Sequence, residues 1–412
     1  MPELRHLREV FHQWGGTTAT FFTYTHLSHD LCTGLLVALL PLIRADLGLS
    51  YLQAGLLLSA YSFTSGISQF LGGWLGDRAS RHVVVAIGLS GISLAALAVG
   101  LSSSYYPMLF ILVIMGIFAG AYHPSATSML SSYFEEARRG RAIALHMVGG
   151  SLGFTLGPVL GGLIAGVLEW RFAFIILSIP ALVAVLLVIK KFRRQEYVSG
   201  REPVSHSSAT GAASVKPAYG WEGIGQALRP VATVTVLAIL TQFIAGSALA
   251  FTPIYLVDKY NVAPAYAAML MGVIRGGGIA GSLLGGWLSD KWGRKNAIFL
   301  VLVATGPILY LLANLPFNLA LVVIFVLFGL LMYMRQSTIQ PLLMDNTPSH
   351  LRATVFGIYF GLSMEGTSLM QPAVGYFMDI FSVVKVFHTI AIISIGLSLV
   401  ALLLVKTTKL HR

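Results

Sequence analysis

The sequence of this 412-residue chain contains one short motif twice, as "GWLGDRASRH" (Gly73–His82) and as "GWLSDKWGRK" (Gly286–Lys295). This repeat is the feature that best predicts the fold. Asp77 aligns with Asp290, which is 213 positions further on (77 to 290). Each copy follows a long apolar run. Internal repeats in strongly apolar chains are typical of folds made of two similar helical bundles. The chain is therefore predicted to consist of two related halves.

The composition places both halves in a lipid bilayer. Hydrophobic residues make up 56% of the chain and charged residues only 10%, whereas soluble domains carry about 25% charged residues. Long continuous apolar runs favour helices, since a transmembrane barrel needs short alternating segments. The sequence predicts an all-α membrane protein with twelve transmembrane helices, near 20–43, 51–74, 82–103, 106–131, 141–167, 170–191, 229–257, 262–287, 296–314, 317–343, 353–377 and 383–405.

The basic residues predict how these helices are oriented. With both termini on one side of the membrane, that side holds 21 of the 27 Lys and Arg residues. The positive-inside rule therefore puts both termini in the cytoplasm. The same asymmetry explains the net charge of +11 as topology, so no nucleic-acid partner is expected.

A polar stretch divides the predicted helices into two sets of six. Residues 192–228 are rich in Ser, Gly, Ala and Pro, a composition typical of flexible linkers. The predicted domains are an N-terminal six-helix bundle over 1–191, a cytoplasmic linker over 192–228 and a C-terminal six-helix bundle over 229–412.

The repeated loop resembles the cytoplasmic signature of the major facilitator superfamily. The resemblance implies two pseudo-symmetric six-helix bundles that work by alternating access. It also implies that the loop aspartates contact helix ends and nearby arginines to hold one gate closed. An ordinary charged turn is the alternative interpretation. The implied gate residues are Gly73, Asp77, Arg78, Arg81, Gly286, Asp290 and Arg294.

The fifth span carries "GFTLGPVLGG", which resembles the antiporter motif of the superfamily's drug exporters. Gly153, Gly157 and Gly161 recur at helical spacing and form one smooth face for a neighbouring helix. Pro158 removes a backbone donor and permits a bend. These four residues are candidates for a conformational role, with plain tight packing as the alternative.

Three stretches resemble exporters of the fosmidomycin-resistance type: "THLSHDLCTGLLVALLPLI" in the first span, "AGAYHPSA" in the fourth and "GRAIALHMVGGSLGFTLGP" at the start of the fifth. The His26–Asp30 and His123–Pro124 pairs carry most of this resemblance. In one respect the chain departs from drug exporters, because Leu112 stands where they have an arginine often assigned to proton transfer. Other groups must then carry proton coupling.

Four formal charges lie in the interior of the predicted spans, namely Asp30, Arg275, Arg335 and Glu365, and all other charged residues fall near span ends or in loops. A charge at the bilayer centre costs about 2.5–3.5 kcal/mol on insertion scales, so each should face the protein interior or water. His26 and Asp30 are four residues apart and share a helical face. Because a histidine beside a carboxylate can hold a proton near neutral pH, the predicted proton-coupling residues are Asp30, His26, Glu365 and His123. A static hydrogen-bonded pair is the alternative.

The two in-span arginines predict an anionic ligand. Guanidinium groups bind carboxylates and phosphonates through paired hydrogen bonds, although Glu365 or Asp30 could instead neutralise one arginine internally. His29 points about 100° away from Asp30 and is expected to be a packing residue. The candidate substrate-binding residues are Arg275, Arg335, Tyr24, Tyr61, Tyr122, His123, Gln242, Gln336 and Tyr255.

These features predict a secondary transporter that exports a small organic compound, anionic or drug-like, in exchange for protons. Uptake of a small organic anion and translocation of a lipid or lysolipid are alternatives, and a receptor or scaffold is a further one. An enzyme is not expected, since no nucleophile–base set, metal cluster or Walker motif stands out. The expected partners are substrate, protons and lipid, with no cofactor or metal. The protein is expected to be a functional monomer in the prokaryotic cytoplasmic (inner) membrane.

Overall fold

The computed structural model describes residues 14–78, 80–199, 229–347 and 352–405. Within these ranges the side chains of residues 73–74, 76–78, 136–137, 192–199, 230, 352–354 and 356 fall outside the description. The described backbone is helical and contains no β-strand. The part of the predicted linker from 200 to 228 lies outside the described residues, so the domain boundaries stay predictions.

The first predicted span consists of two helices, α1 (Gly16–Thr33) and α2 (Leu35–Asp46). Gly34 between them keeps a right-handed helical backbone, and its N–H still donates to the Asp30 carbonyl at 3.1 Å. The remaining eleven helices follow singly. They are α3 (Tyr51–Arg78), α4 (Arg81–Gly100), α5 (Tyr105–Ser132), α6 (Glu136–Val167), α7 (Trp170–Ser199), α8 (Ala232–Tyr260), α9 (Pro264–Trp292), α10 (Arg294–Asn314), α11 (Leu319–Asp345), α12 (Arg352–Phe381) and α13 (Val383–Leu404).

The twelve predicted spans are all helical, and ten of those described are long and apolar enough by themselves to cross a membrane. The two others are α3 and α12, helices of 28 and 30 residues. These two pack against each other, one from each half of the chain. Because they meet protein as well as lipid, they can carry more glycine and polar residues than a lipid-facing helix.

Glycines bring α6 into backbone contact with α1. A Cβ added to Gly153 would lie 2.5 Å from the carbonyl oxygen of Leu27, and one on Gly157 would lie 2.7 Å from that of Leu31. Such close approach needs residues without side chains. The glycine motif of the fifth span therefore forms a packing face within the first half. Its suggested conformational role stays a prediction, and the packing is what positions the site described below.

The two halves are in contact through α3 with α12 and α6 with α9. We call the end where α7 stops and α8 starts the linker end, and the opposite end the far end. Towards the far end, a Cβ on Gly55 would lie 2.5 Å from the carbonyl oxygen of Gln371, and one on Gly162 equally close to that of Ala265. Near the linker end of α9, a Cβ on Gly286 would have no described atom within 4 Å.

Candidate functional site

A buried carboxylate lies at the centre of a histidine cluster in the first half. Asp30 on α1 is 2% exposed. Its Oδ1 lies 2.7 Å from Nδ1 of His29, and its Oδ2 lies 3.4 Å from Nε2 of His26. Thr33 also donates its hydroxyl to Oδ1, at 3.5 Å. These partners explain how a carboxylate can lie in an apolar helix, since a buried charge must be paired or hydrogen-bonded.

Helices α5 and α6 complete the cluster. His123 of α5 places its Nε2 4.0 Å from Asp30 Oδ1. Tyr122 stacks on the His29 ring, with centroids 4.5 Å apart, and its hydroxyl is 2.8 Å from that of Thr25. From α6, the ring of His146 stacks on His26 at 4.2 Å. The cluster therefore joins three helices of one half.

The backbone of α6 also fixes the histidine rings. The carbonyl of His146 accepts a hydrogen bond from Nδ1 of His26 at 2.9 Å. His146 in turn donates from its own Nδ1 to the carbonyl of Phe22 at 2.9 Å. These exchanges are possible because the glycines of α6 allow the two backbones to touch. Each ring is thereby held in one orientation.

The structure brings together His26, Asp30 and His123, as the sequence predicts. His29 packs against Tyr122 of α5, as expected for a packing residue, but its ring also makes the shortest contact with the carboxylate, which was not predicted. His146 was missed altogether. The available signal was a lone histidine in the apolar stretch "AIALHMVGG".

The same cluster has donor atoms of the kind that bind metal ions. His26, Asp30 and His123 each offer one possible ligand atom, a ring nitrogen or a carboxylate oxygen, and these three atoms lie within 4.8 Å of one another. Imidazole nitrogen with carboxylate oxygen is a donor set found at zinc sites. The expectation that the protein has no metal therefore stays a prediction.

Glu365 lies apart from this cluster, where the two halves touch. It extends from α12 against Gly66 of α3, so that a Cβ on Gly66 would overlap its Oε1. Its Oε2 is buried and has no hydrogen-bond partner among the described residues. A carboxyl group without a described partner in a protein interior is a candidate for protonation, which keeps Glu365 as the rival proton carrier.

The two in-span arginines lie in the second half, and neither has a described carboxylate within 4.0 Å. Arg335 is 4% exposed and donates to the hydroxyl of Tyr359 at 2.8 Å and to the side-chain oxygen of Gln242. Arg275 lies with its guanidinium carbon 4.7 Å from the ring centre of Phe154, and its Nε is buried without a hydrogen-bond partner among the described residues. Pairing of either arginine with Glu365 or Asp30 is therefore not observed.

Three tyrosines predicted to contact substrate have their hydroxyls engaged elsewhere. Tyr24 donates to the carbonyl of Pro180 at 3.0 Å and Tyr255 to that of Ala313 at 2.9 Å, while Tyr122 is bonded within the histidine cluster. In this structure they make interhelical contacts, and their contact with substrate stays a prediction. Tyr61 and Gln336 are partly buried and keep their candidacy.

The predicted gate residues are only partly described. The side chains of Gly73, Asp77 and Arg78 fall outside the description, and Arg81 begins α4. Asp290 is exposed at the end of α9. Arg294 forms an ion pair with Asp345 of α11, within the same half. A gate held by Asp77 and Asp290 stays a prediction.

A contact that was not predicted joins the halves at the far end. Asp379 of α12 accepts hydrogen bonds from the backbone N–H groups of Tyr51 and Leu52, both at 2.8 Å. The hydroxyl of Tyr51 donates to Asp258 of α8 at 2.6 Å, and Arg44 lies over the Tyr51 ring at 3.7 Å. Two carboxylates of the second half thus hold the start of α3 in the first half.

Comparison with known proteins agrees with this architecture. The family model of the Major Facilitator Superfamily matches residues 22–366. The fosmidomycin resistance protein of Escherichia coli K12 is 24% identical over 89% of this chain and 87% of its own. The hexuronate transporter of Bacillus subtilis is 26% identical over 63% of this chain and 61% of its own.

A solved structure shares the fold. It is a bacterial homologue of the human lysosomal transporter Spinster, in an inward-facing and occupied conformation. The TM-score is 0.74 at 16% identity, with 93% of this chain and 94% of that chain covered. The twelve helical spans, the two halves and the match to the family over most of the chain establish that this protein belongs to the Major Facilitator Superfamily of membrane transporters and is not an enzyme.

Proposed function

We propose that this protein exports a small organic anion in exchange for protons by alternating access. The observation that carries the proposal is the division of buried charge between the halves. The first half holds a carboxylate among histidines, and the second half holds two arginines without a described carboxylate partner. One half can thus bind a proton and the other an anion. Arg275 changes its surroundings when the halves move, because it packs against Phe154 of the other half.

The histidine cluster supplies the proton chemistry. Asp30 is buried and has histidines as its closest described partners, so its protonation is sensitive to small shifts of α1 against α5 and α6. His123 is the most open of the residues within reach of Asp30, with 34% of its side chain exposed. It is the natural route between the buried carboxylate and water. Leu112 leaves this cluster without the arginine that drug exporters use.

Arg275 is the better of the two candidates for contact with the anion. Arg335 is already engaged by Gln242 and Tyr359. The guanidinium of Arg275 lies against an aromatic ring of α6, across the boundary between the halves. A carboxylate or phosphonate bound there would receive paired hydrogen bonds from a planar donor. Arg335 would contribute mainly through its positive charge.

Efflux is favoured over uptake by the fosmidomycin resistance protein, which matches 89% of this chain. Uptake of an organic anion is the second candidate, and the hexuronate transporter favours it. The buried charges are compatible with both directions. The resemblance to bacterial relatives supports a location in the inner membrane, and the basic residues support cytoplasmic termini.

Transport in proteoliposomes with an imposed pH gradient tests the proposal. Fosmidomycin is the probe for efflux and a hexuronate is the probe for uptake. Transport of each probe is measured in vesicles that are acidic inside and in vesicles that are acidic outside. Exchange predicts that the probe accumulates in the acidic compartment as protons leave it. Accumulation in the compartment opposite the acid would indicate symport. No dependence on the gradient in either arrangement would contradict proton coupling.

Asp30→Asn and Glu365→Gln separate the two candidate proton carriers. Asn keeps the size of Asp30 but cannot titrate, so this variant should bind the probe and lose all response to the gradient. Glu365→Gln should keep a response. The reverse result would move the carrier to α12 and leave the histidine cluster with a structural role.

A further inference from the structure

We infer that the coupling proton is held between two particular atoms, Oδ2 of Asp30 and Nε2 of His26, with His29 and His146 as positioning residues that fix the surrounding hydrogen bonds. The inference rests on the proposed function, because it names the proton site of that same cluster. It follows from counting donors and acceptors around the carboxylate.

The hydrogen-bond partner of Nδ1 determines which ring nitrogen of His26 carries a hydrogen. Nδ1 lies 2.9 Å from the carbonyl oxygen of His146. A carbonyl oxygen can only accept a hydrogen bond, so Nδ1 must carry a hydrogen. In a neutral ring, Nε2 is then the acceptor nitrogen. It faces Asp30.

One proton is needed between His26 and Asp30. Nε2 of His26 lies 3.4 Å from Oδ2, and the ring and carboxylate are both acceptors when His26 is neutral and Asp30 ionised. Two facing lone pairs repel each other. A single proton, on either atom, converts the repulsion into an attractive contact. A contact of this kind is the one expected of the proton-loaded site.

His29 directs this proton to Oδ2 by occupying the other carboxylate oxygen. Its Nδ1 lies 2.7 Å from Oδ1, while its Nε2 is buried without a described partner. A hydrogen on Nε2 would be an unsatisfied buried donor, so the neutral ring carries its hydrogen on Nδ1 and donates it to Oδ1. Thr33 donates weakly to the same oxygen at 3.5 Å. Oδ2 is left for the shared proton.

His146 is neutral for the same reason and fixes the His26 ring. Its Nδ1 donates to the carbonyl of Phe22 at 2.9 Å, and its Nε2 is buried without a described partner. The stacked rings of His146 and His26, 4.2 Å apart, leave His26 little freedom to turn its Nε2 away.

The backbone of α6 at Gly150 packs directly against the two atoms that share the proton. A Cβ added to Gly150 would lie 2.5 Å from His26 Nε2 and 2.9 Å from Asp30 Oδ2. Water therefore has no space on this side, and a shift of α6 along α1 would open or close the site. The other titratable groups that face the pair are His29 of α1, Tyr61 of α3, Tyr122 and His123 of α5 and His146 of α6, while Arg275 of α9 lies over Phe154 of α6.

A proton count on the full-length protein in nanodiscs tests the inference. The number of protons released after a jump from acidic to basic pH is measured with a pH dye, in metal-free buffer with chelator. Asp30→Asn and His26→Gln should each release one proton fewer than the wild type, because the glutamine amide donates to Oδ2 without titrating. His29→Gln is the matched control. It keeps a donor to Oδ1, so the count should be unchanged while the midpoint pH shifts.

Histidine tautomers measured by nitrogen-15 NMR on the wild-type protein provide a second test that needs no variant. The expected result is hydrogen on Nδ1 and none on Nε2 for His29 and His146. An unprotonated Nδ1 on His26 would overturn the inference. The inference would also be overturned if His26→Gln released as many protons as the wild type. It would likewise be overturned if the wild type released the extra proton only when Zn²⁺ replaced the chelator.

The two proposals fail in different ways. If His26→Gln keeps the full proton count while the wild type still exchanges its probe against the gradient, the proton site is wrong and the exchange function stands. If His26→Gln loses one proton but the wild type shows no gradient-dependent transport, the proton site stands and the proposed exchange is wrong.

Discussion

Replacing Asp379 by alanine should open the far end of the transporter. In the present structure this carboxylate accepts two backbone N–H groups at the start of α3, each at 2.8 Å. The first N–H groups of a helix have no partner within the helix, and a negative charge there is also favoured by the helix dipole. Because α3 and α12 belong to different halves, these bonds stabilise only the state in which the halves meet at this end.

The size of the effect follows from the contacts that are lost. Removing an N-terminal cap costs about 0.5–2 kcal/mol. Because two charge-assisted hydrogen bonds are lost, the cost should lie in the upper part of that range, but the exposure of Asp379 to solvent lowers the cost. The second contact, from Tyr51 to Asp258, remains in the variant. We expect a loss of about 1–2 kcal/mol, which corresponds to a change of roughly 5–30-fold in the ratio of closed to open far ends.

Distances between spin labels measure this ratio. Leu101 and Leu319 lie at the far end, one in each half, and are 69% and 78% exposed. Cysteines introduced there can be labelled selectively, since Cys32 is the one native cysteine and is buried. Electron–electron double resonance on Asp379→Ala should show a larger fraction of long distances than the parent protein.

Asp46→Ala is the matched control. Asp46 also lies at the far end and pairs with Arg171 at 2.8 Å, but both residues belong to the first half. Its loss should leave the distance distribution unchanged. The reasoning is refuted if Asp379→Ala leaves the distribution unchanged, or if Asp46→Ala shifts it equally.

Other substitutions probe the buried groups. Gly66→Ala places a methyl group where Glu365 now lies, so transport in proteoliposomes should fall sharply. Adding Glu365→Ala should restore part of the transport. A Gly66→Ala variant with normal transport would contradict this packing. Arg275→Lys should weaken binding of an anionic probe by about tenfold, the value of one lost charge-assisted bond, in isothermal titration. Arg335→Lys should have a smaller effect on that affinity, and equal losses would argue against Arg275 as the direct ligand. Gly153→Ala should lower thermal stability by about 1–3 kcal/mol through overpacking, and an unchanged melting temperature would count against the backbone contact with α1.

Much of the candidate site could be anticipated because its signals are local in sequence. His26 and Asp30 are four residues apart, so helix geometry alone brings them to one face. His123 could be added from the resemblance of its stretch to related exporters. His29 and His146 could not be assigned in this way. The contact of His29 depends on where the Asp30 carboxylate lies among its partners, and that of His146 depends on the approach of α6 to α1 through its glycines.

The arginines show the same limit. Their presence in apolar spans predicts that they face the protein interior, and Arg335 is indeed buried. Their partners depend on which helices become neighbours. Gln242 and Tyr359 reach Arg335 from α8 and α12, which lie 93 and 24 residues away in sequence. No spacing rule relates such positions.

The sequence by itself determined the helices and the division into two halves. In lipid every backbone group must be satisfied within its own helix, so a long apolar run is sufficient to define a span. The repeated loop motif then relates one set of spans to the other. The tertiary structure alone decided which buried groups meet: Asp30 with His29, His146 with His26, and Asp379 with the start of α3. Those contacts depend on interhelical distances and on side-chain rotations, and these are set by the packing of helices far apart in the chain.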